Sequence, residues 1–173
     1  MRKAMKSGVK LGGVFEVVCR RPDGSIRWQD TAKNLVTTEG LNHILDVLFA
    51  GDTQINPWYV GLLGADPSPA AGWTKTEVGG ADFVDYDEAT LPAYVDARTN
   101  QTVSNTASKA SFTISTDGSS IGGAYLASAE TKAVAGGAAE ILCAAAFTGG
   151  NKAADDNDTL EVTYTFSAAD DGA

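Results

Sequence analysis

Histidine, cysteine and basic charge are all scarce in this 173-residue chain, and each shortage removes a class of function. The one histidine, His43, excludes histidine-rich metal sites and leaves little material for a His-dependent catalyst. Two cysteines, Cys19 and Cys143, are too few for a disulfide framework; in a reducing compartment they act as small buried hydrophobes. Against 13 Lys and Arg stand 22 Asp and Glu, a formal net charge of −9. Such a balance argues against general nucleic-acid binding, which needs clustered basic charge. No apolar run approaches the ~20 residues of a membrane span. The start does not read as a secretory signal either. Basic Met1-Arg2-Lys3-Ala4-Met5-Lys6 is followed by a stretch that Lys10, Gly8, Gly12 and Gly13 break up, where a signal needs an uninterrupted apolar run. The expectation is a soluble chain with no membrane, nucleic-acid, metal or cofactor partner.

What is present is one domain's worth of apolar residues, 43%, with only 20% charged. A chain of this length buries roughly 70% of its unfolded surface and folds without staples. Its charge is divided along the chain. Residues 1–28 carry seven basic and two acidic groups, a net +5, and the remainder carries six basic and 20 acidic groups, a net −14. A basic arm over residues 1–11, a single β domain over 12–168 and a disordered tail over 169–173 are expected. An arm and body of opposite sign suit docking on a charged neighbour.

The patterning is mostly that of strands. Residues 14–20, the turn Pro22-Asp23-Gly24-Ser25 and the alternating residues 26–31 predict a hairpin. One amphipathic helix is predicted near residues 38–50. Thr37 or Thr38 caps it, Glu39 sits in its first turn, and Gly51 stands just past its end. Leu41, Ile44, Leu45 and Leu48 share one face, which is expected to lie on an edge or end of a sheet. Residues 58–63 are a continuous apolar run and predict a fully buried strand; residues 64–72 predict a loop and residues 73–78 a short extended piece. Further strands are predicted at 110–115, 121–128, 139–147 and 159–167. In the last, Leu160, Val162, Tyr164 and Phe166 alternate with polar residues, so one face is core and the other polar. Many short strands between Gly, Ser, Asn and Asp clusters predict a mainly β, antiparallel β-sandwich of jelly-roll or Ig-like type.

Motifs that carry chemistry lack their context. Gly118-Ser119-Ser120-Ile121-Gly122 matches the nucleophile-elbow pattern, but that motif needs a strand before it, a helix after it and a later His. Asp155-Asp156-Asn157-Asp158 offers oxygens for a hard cation without the spacing of a calcium loop, and reads as a turn before the last strand. No catalytic residue or metal ligand is assigned.

Three stretches together carry a resemblance. Lys33-Asn34-Leu35-Val36-Thr37-Thr38-Glu39-Gly40-Leu41-Asn42-His43 leads into the helix, Trp58-Tyr59-Val60-Gly61-Leu62 follows it, and Asp158-Thr159-Leu160-Glu161-Val162-Thr163-Tyr164-Thr165-Phe166 closes the domain. In this order they resemble small virion structural proteins of tailed bacteriophages and, among those, capsid decoration (cement) proteins. The resemblance covers most of residues 33–167 and rests on structural, not catalytic, motifs. It implies a non-enzymatic protein made in a bacterial host cytoplasm and placed on the capsid surface. Its partners would be the major capsid protein and further copies of itself, a trimer among the possible orders. Arg2, Lys3, Lys6, Lys10, Arg20 and Arg21 are the candidate capsid contacts. The 73–94 region, with Trp73, Tyr86 and Tyr94, is the second candidate interface. The alternatives are a tail, baseplate or fibre-attachment adaptor, and a glycan- or calcium-binding surface module with exposed aromatics.

Overall fold

Alternating apolar and polar side chains build the two longest strands, and the rest of the fold assembles around them. The computed structural model describes residues 8–132 and 139–170. In chain order its elements are β1 (Val9–Arg20), β2 (Ile26–Lys33), β3 (Leu35–Val36) and helix α1 (Thr38–Leu45), which continues as a π-helical turn, Asp46–Ala50. Next come β4 (Trp58–Leu63), helix α2 (Lys75–Ala81), β5 (Asp82–Phe83), β6 (Ala93–Tyr94), β7 (Ala97–Thr99) and β8 (Thr102–Ser104). The series ends with β9 (Ala110–Thr113), β10 (Ser119–Ile121), β11 (Gly123–Ala127), β12 (Ile141–Ala146), β13 (Lys152–Ala154) and β14 (Thr159–Asp170).

These strands form the expected antiparallel sandwich. One sheet runs β2-β1-β14-β8-β7 with β9 also on β14; the other runs β3-β12-β11-β4-β5 with β6 also on β4. A ribbon of β10 and β13 completes it. Along β1, Phe15, Val17 and Cys19 are buried and pair directly with Tyr164, Val162 and Leu160 of β14, also buried. Directly opposed residues share a face, so this is one apolar layer; the Phe15 and Tyr164 rings stand 4.4 Å apart. The intervening Glu16, Arg20, Glu161 and Thr165 form a polar outer face. The apolar run of β4 lies between β11 on one side and β5 and β6 on the other, with Val60, Leu62 and Leu63 fully buried. Burying each such side chain contributes about 1.5–3 kcal/mol.

Two boundaries differ from expectation. Residues 9–11, read as part of a free arm, belong to β1, and residues 169–170, read as tail, belong to β14. The two pair in register, Val9 with Asp170 and Leu11 with Ala168, so each supplies the other's backbone hydrogen bonds. Residues 73–78, read as extended, lead into α2. A capping box nucleates this helix: Thr74 Oγ1 accepts from the Thr76 N–H at 3.2 Å, and Glu77 Oε2 accepts from the Thr74 N–H at 2.8 Å.

Candidate interaction surface

Helix α1 is attached to the sandwich through its first turn and the face that carries Gly40 and His43. Thr37 caps it, its Oγ1 accepting from the Gly40 N–H at 3.0 Å while its hydroxyl donates to the Ile141 carbonyl. Glu39 Oε2 accepts from the Ile141 N–H at 3.1 Å, and the Thr38 N–H donates to the Ala71 carbonyl at 2.7 Å. Gly40 lies so close to the Leu142 backbone of β12 that a Cβ there would collide with it. His43, also buried, meets the Trp58 ring edge-on at 5.5 Å and places Nδ1 3.2 Å from Glu140 Oε2. The π-turn then ends at Gly51, whose φ of 79° is the left-handed conformation that glycine supplies at a helix end.

This seating leaves Leu41, Leu45 and Leu48 of the apolar stripe outward, with Ile44 half-buried. The stripe was expected against the sheet; instead Leu41 is exposed, Leu45 is 54% exposed, Leu48 66% and Phe49 82%. Hydrogen bonds from Thr37, Thr38 and Glu39 and the close seat of Gly40 fix the rotation of α1, and the leucines follow from that rotation. Beside the stripe opens an apolar groove of about 430 Å³, lined by Ile44, Val47, Leu48, Trp58, Val103 and Phe166. A second cavity of about 190 Å³ shares Trp58, Val103 and Phe166 and runs on to Tyr94 and Asp96.

Among the described lining residues of the two cavities, Asp96 is the only carboxylate. Asp46 and Asp52 bracket the π-turn, both exposed; exposed Asp96 lines the second cavity; Glu140 stands behind His43. Among the described residues no Lys or Arg lines either cavity. Arg98, opposite Val103 in the β7–β8 pair, donates instead to the Asn100 carbonyl at 2.9 Å.

The sequence-based contact candidates are not gathered into one patch. Arg2, Lys3 and Lys6 lie outside the described residues. Lys10 is exposed near the start of β1, whereas Arg20 and Arg21 lie at its far end, about 33 Å away at the rise of a strand. Arg20 pairs with Glu161 at 3.4 Å, and Arg21 donates to Ser25 Oγ at 3.3 Å. Two of the second set belong to the core. Tyr86 is 4% exposed and stacks edge-on against Phe112 at 4.9 Å; Tyr94 is 5% exposed, its hydroxyl 3.0 and 3.1 Å from the Val103 and Tyr164 carbonyls. Buried tyrosines usually find a partner for the hydroxyl; Tyr94 does so, whereas the Tyr86 hydroxyl has none among the described residues. Trp73 is half-buried.

No family model, curated protein or solved structure matches this chain.

The remaining chemistry-bearing groups brace the sandwich. Ser120 sits in strand β10 opposite Ala153, not at a strand-to-helix elbow. The acidic loop before β14 receives Arg27: Nε lies 2.7 Å from Asp158 Oδ2 and Nη2 2.6 Å from Asp155 Oδ2. Asp158 is fully buried, so what read as a solvated turn is a tether between β2 and β14. Cys19 faces Asp158 at 3.8 Å; burial first and that carboxylate second push its thiol up to about 12. Lys75 is buried over the Tyr125 ring and donates to the Thr131 carbonyl at 3.3 Å; burial lowers its pKa and Asp82 works against that. Among the described residues no group of three or more His, Cys, Asp or Glu is placed to hold a metal ion, and no helix is long and apolar enough to cross a membrane.

Proposed function

We propose that this chain is a non-enzymatic structural protein of a tailed-bacteriophage virion, a capsid decoration protein that binds the major capsid lattice and bridges its subunits. The observation that carries the reading is helix α1 seated through Gly40 and His43 with Leu41, Leu45, Leu48 and Phe49 left exposed for a neighbour. A fold that holds this orientation by hydrogen bonds from Thr37, Thr38 and Glu39 is built to offer apolar surface, and the reaction-bearing motifs of the sequence serve as braces. The resemblance of residues 33–167 to phage virion proteins supplies the neighbour. Binding to the assembled lattice and not to free subunits stabilises the shell by mass action, about 2.7 kcal/mol per site when the free protein is at one hundred times its Kd.

The test adds purified protein to expanded capsid shells lacking it. Electron microscopy should show new density on the lattice, and calorimetry should show a higher shell disruption temperature. Leu45→Asp with Leu48→Asp should abolish both effects. Density for this chain confined to the tail of native virions would overturn the reading.

A further inference from the structure

We infer that the outer edge of β1 over residues 9–11 takes a further strand, an extended segment of the protein on which this chain docks, with apolar side chains opposite Val9 and Leu11 and a carboxylate opposite Lys10. The inference rests on the docking role proposed above and adds to it a second mode of contact, through the main chain.

Unequal strand lengths leave this edge open. β1 and β14 pair without interruption from Val9 with Asp170 to Arg20 with Thr159, whereas β2 joins β1 only at Val14. Gly13 still uses both backbone groups on the β2 side, its carbonyl accepting from the Asn34 N–H at 3.0 Å and its N–H donating to Asn34 Oδ1. The N–H and C=O of one residue in an antiparallel strand point to the same side, and that side alternates along the strand. Those of Leu11 and Val9 therefore point where an extended β2 would lie, and among the described residues they have no partner. Neighbouring edges are covered. The Ala168 N–H of β14 donates to the Gln101 carbonyl at 3.0 Å, and along the far edge of β2 Trp28 Nε1 donates to the Ala153 carbonyl at 2.7 Å and Thr148 Oγ1 to the Thr31 carbonyl at 2.8 Å. An unpaired edge is a template for another strand, and a proline or a bulge blunts it. Residues 9–13 hold neither; the register shift of β1 lies at Cys19 and Arg20.

Side chains on the edge itself choose the occupant. Val9, 73% exposed, and Leu11 lie on the face of β1 that continues into Phe15 and Val17, and exposed Lys10 lies on the other. An incoming strand that alternates apolar and acidic residues matches both faces, because opposed apolar pairs and opposed opposite charges each stabilise a ladder. A second copy fits poorly. Two β1 edges related by a two-fold axis can pair Val9 with Leu11, but this sets Lys10 against Lys10, and like charges directly opposite are destabilising. They can also pair Leu11 with Leu11, but this sets Val9 opposite Gly13, whose backbone groups Asn34 already holds. A segment of a different protein meets neither obstacle.

Fluorescence anisotropy tests this on the full chain with three labelled nine-residue peptides. One alternates valine and glutamate, the second alternates valine and lysine, and the third is the first with every valine backbone nitrogen methylated. The glutamate peptide should bind with a Kd below about 1 mM and at least about fivefold more tightly than the lysine peptide, and Lys10→Glu should reverse that order. The methylated peptide, which lacks the donors that would face Leu11 and Val9, should not bind. Hydrogen exchange followed by NMR should find the Leu11 amide unprotected in the free chain and slowed at least about tenfold by the glutamate peptide. The Lys10 amide, which faces β14 in both states, should not change. Leu11→Pro removes the donor at an edge position of the kind where proline is tolerated; it should keep the thermal unfolding curve and lose the peptide. No binding of the glutamate peptide up to about 1 mM, equal binding of the methylated or the lysine peptide, or a Leu11 amide already protected in the free chain would overturn the inference. So would a dimer in light scattering that Leu11→Pro dissociates, because a second copy would then be the occupant. The Leu11→Pro chain applied to capsid shells separates the two readings. If it binds shells as the parent does, strand pairing with the capsid is refuted and decoration stands; if the parent itself fails to bind shells, decoration is refuted and the peptides decide whether the edge takes a strand.

Discussion

Thr37→Val is the most direct probe of what orients the helix. The substitution keeps the shape of the side chain and deletes one hydroxyl, which in the fully buried native residue accepts from the Gly40 N–H and donates to the Ile141 carbonyl. Loss of an N-cap costs about 1 kcal/mol, and loss of a buried hydrogen bond about another 1 kcal/mol. The expected sum is about 2 kcal/mol, a fall in Tm of about 4–8 °C for a domain of this size. Thr37→Ser retains both hydrogen bonds and loses one buried methyl group, about 0.8 kcal/mol. Urea titration followed by tryptophan fluorescence reads both variants, and hydrogen exchange at the amides of residues 40–45 reports the helix itself. The valine variant should be less stable than the serine variant and should exchange faster along α1. A valine variant within 0.5 kcal/mol of the parent, or one more stable than the serine variant, would refute the claim that the hydroxyl anchors the helix.

Leu45→Asp with Leu48→Asp should leave urea stability within about 0.5 kcal/mol of the parent, because both side chains already face solvent, while removing shell binding. Burial works to raise the Asp30 carboxyl, but the Lys152 ammonium and the N–H groups of Thr148 and Gly149 outweigh it and hold the group below its usual range. A depressed folded pKa adds stability that is present above the unfolded value of 3.8 and lost as pH falls through the folded one. Asp30→Asn should therefore flatten the acid limb of a stability-against-pH curve, and an unchanged limb would count against the Lys152 contact. Burial raises both thiols, Cys19 and Cys143, to about 12, so neither should react with a disulfide reagent in the native protein at pH 8. Both should react in urea, and fast labelling before unfolding would contradict their placement in the core.

The sequence was most informative where one period ran uninterrupted. Phe15, Val17 and Cys19, and Leu160, Val162 and Tyr164, alternate strictly, and they are the buried faces of β1 and β14. The helix at 38–50 was equally legible as a helix, but periodicity defines a stripe and not which neighbour covers it. The pointers to the true orientation were Gly40, whose missing side chain permits the seat on β12, and the apolar Val47 and Phe49, which spread the stripe around the helix. Helix α2 was missed because Gly79 and Gly80 weaken any helical pattern, although the Thr74 and Glu77 of its capping box were there to be read. Arg27 and Asp158 lie 131 residues apart in sequence, and Tyr86 and Tyr94 reach the core from the segment after β5 and from the two-residue strand β6. Such pairings are made by topology, and no local pattern encodes them.

The pairing of Val9 with Asp170 has a consequence for engineering. Opposed residues of an antiparallel pair lie about 4.5–5.5 Å apart, so the two ends of the described domain leave the sheet side by side. A short linker joining them would close the backbone into a ring without shifting the register of β1 on β14. The ring could then be reopened in the exposed turn between β1 and β2, at residues 22–25. The permuted protein would keep the sandwich and the apolar helix while carrying any fused cargo at the opposite end of β1.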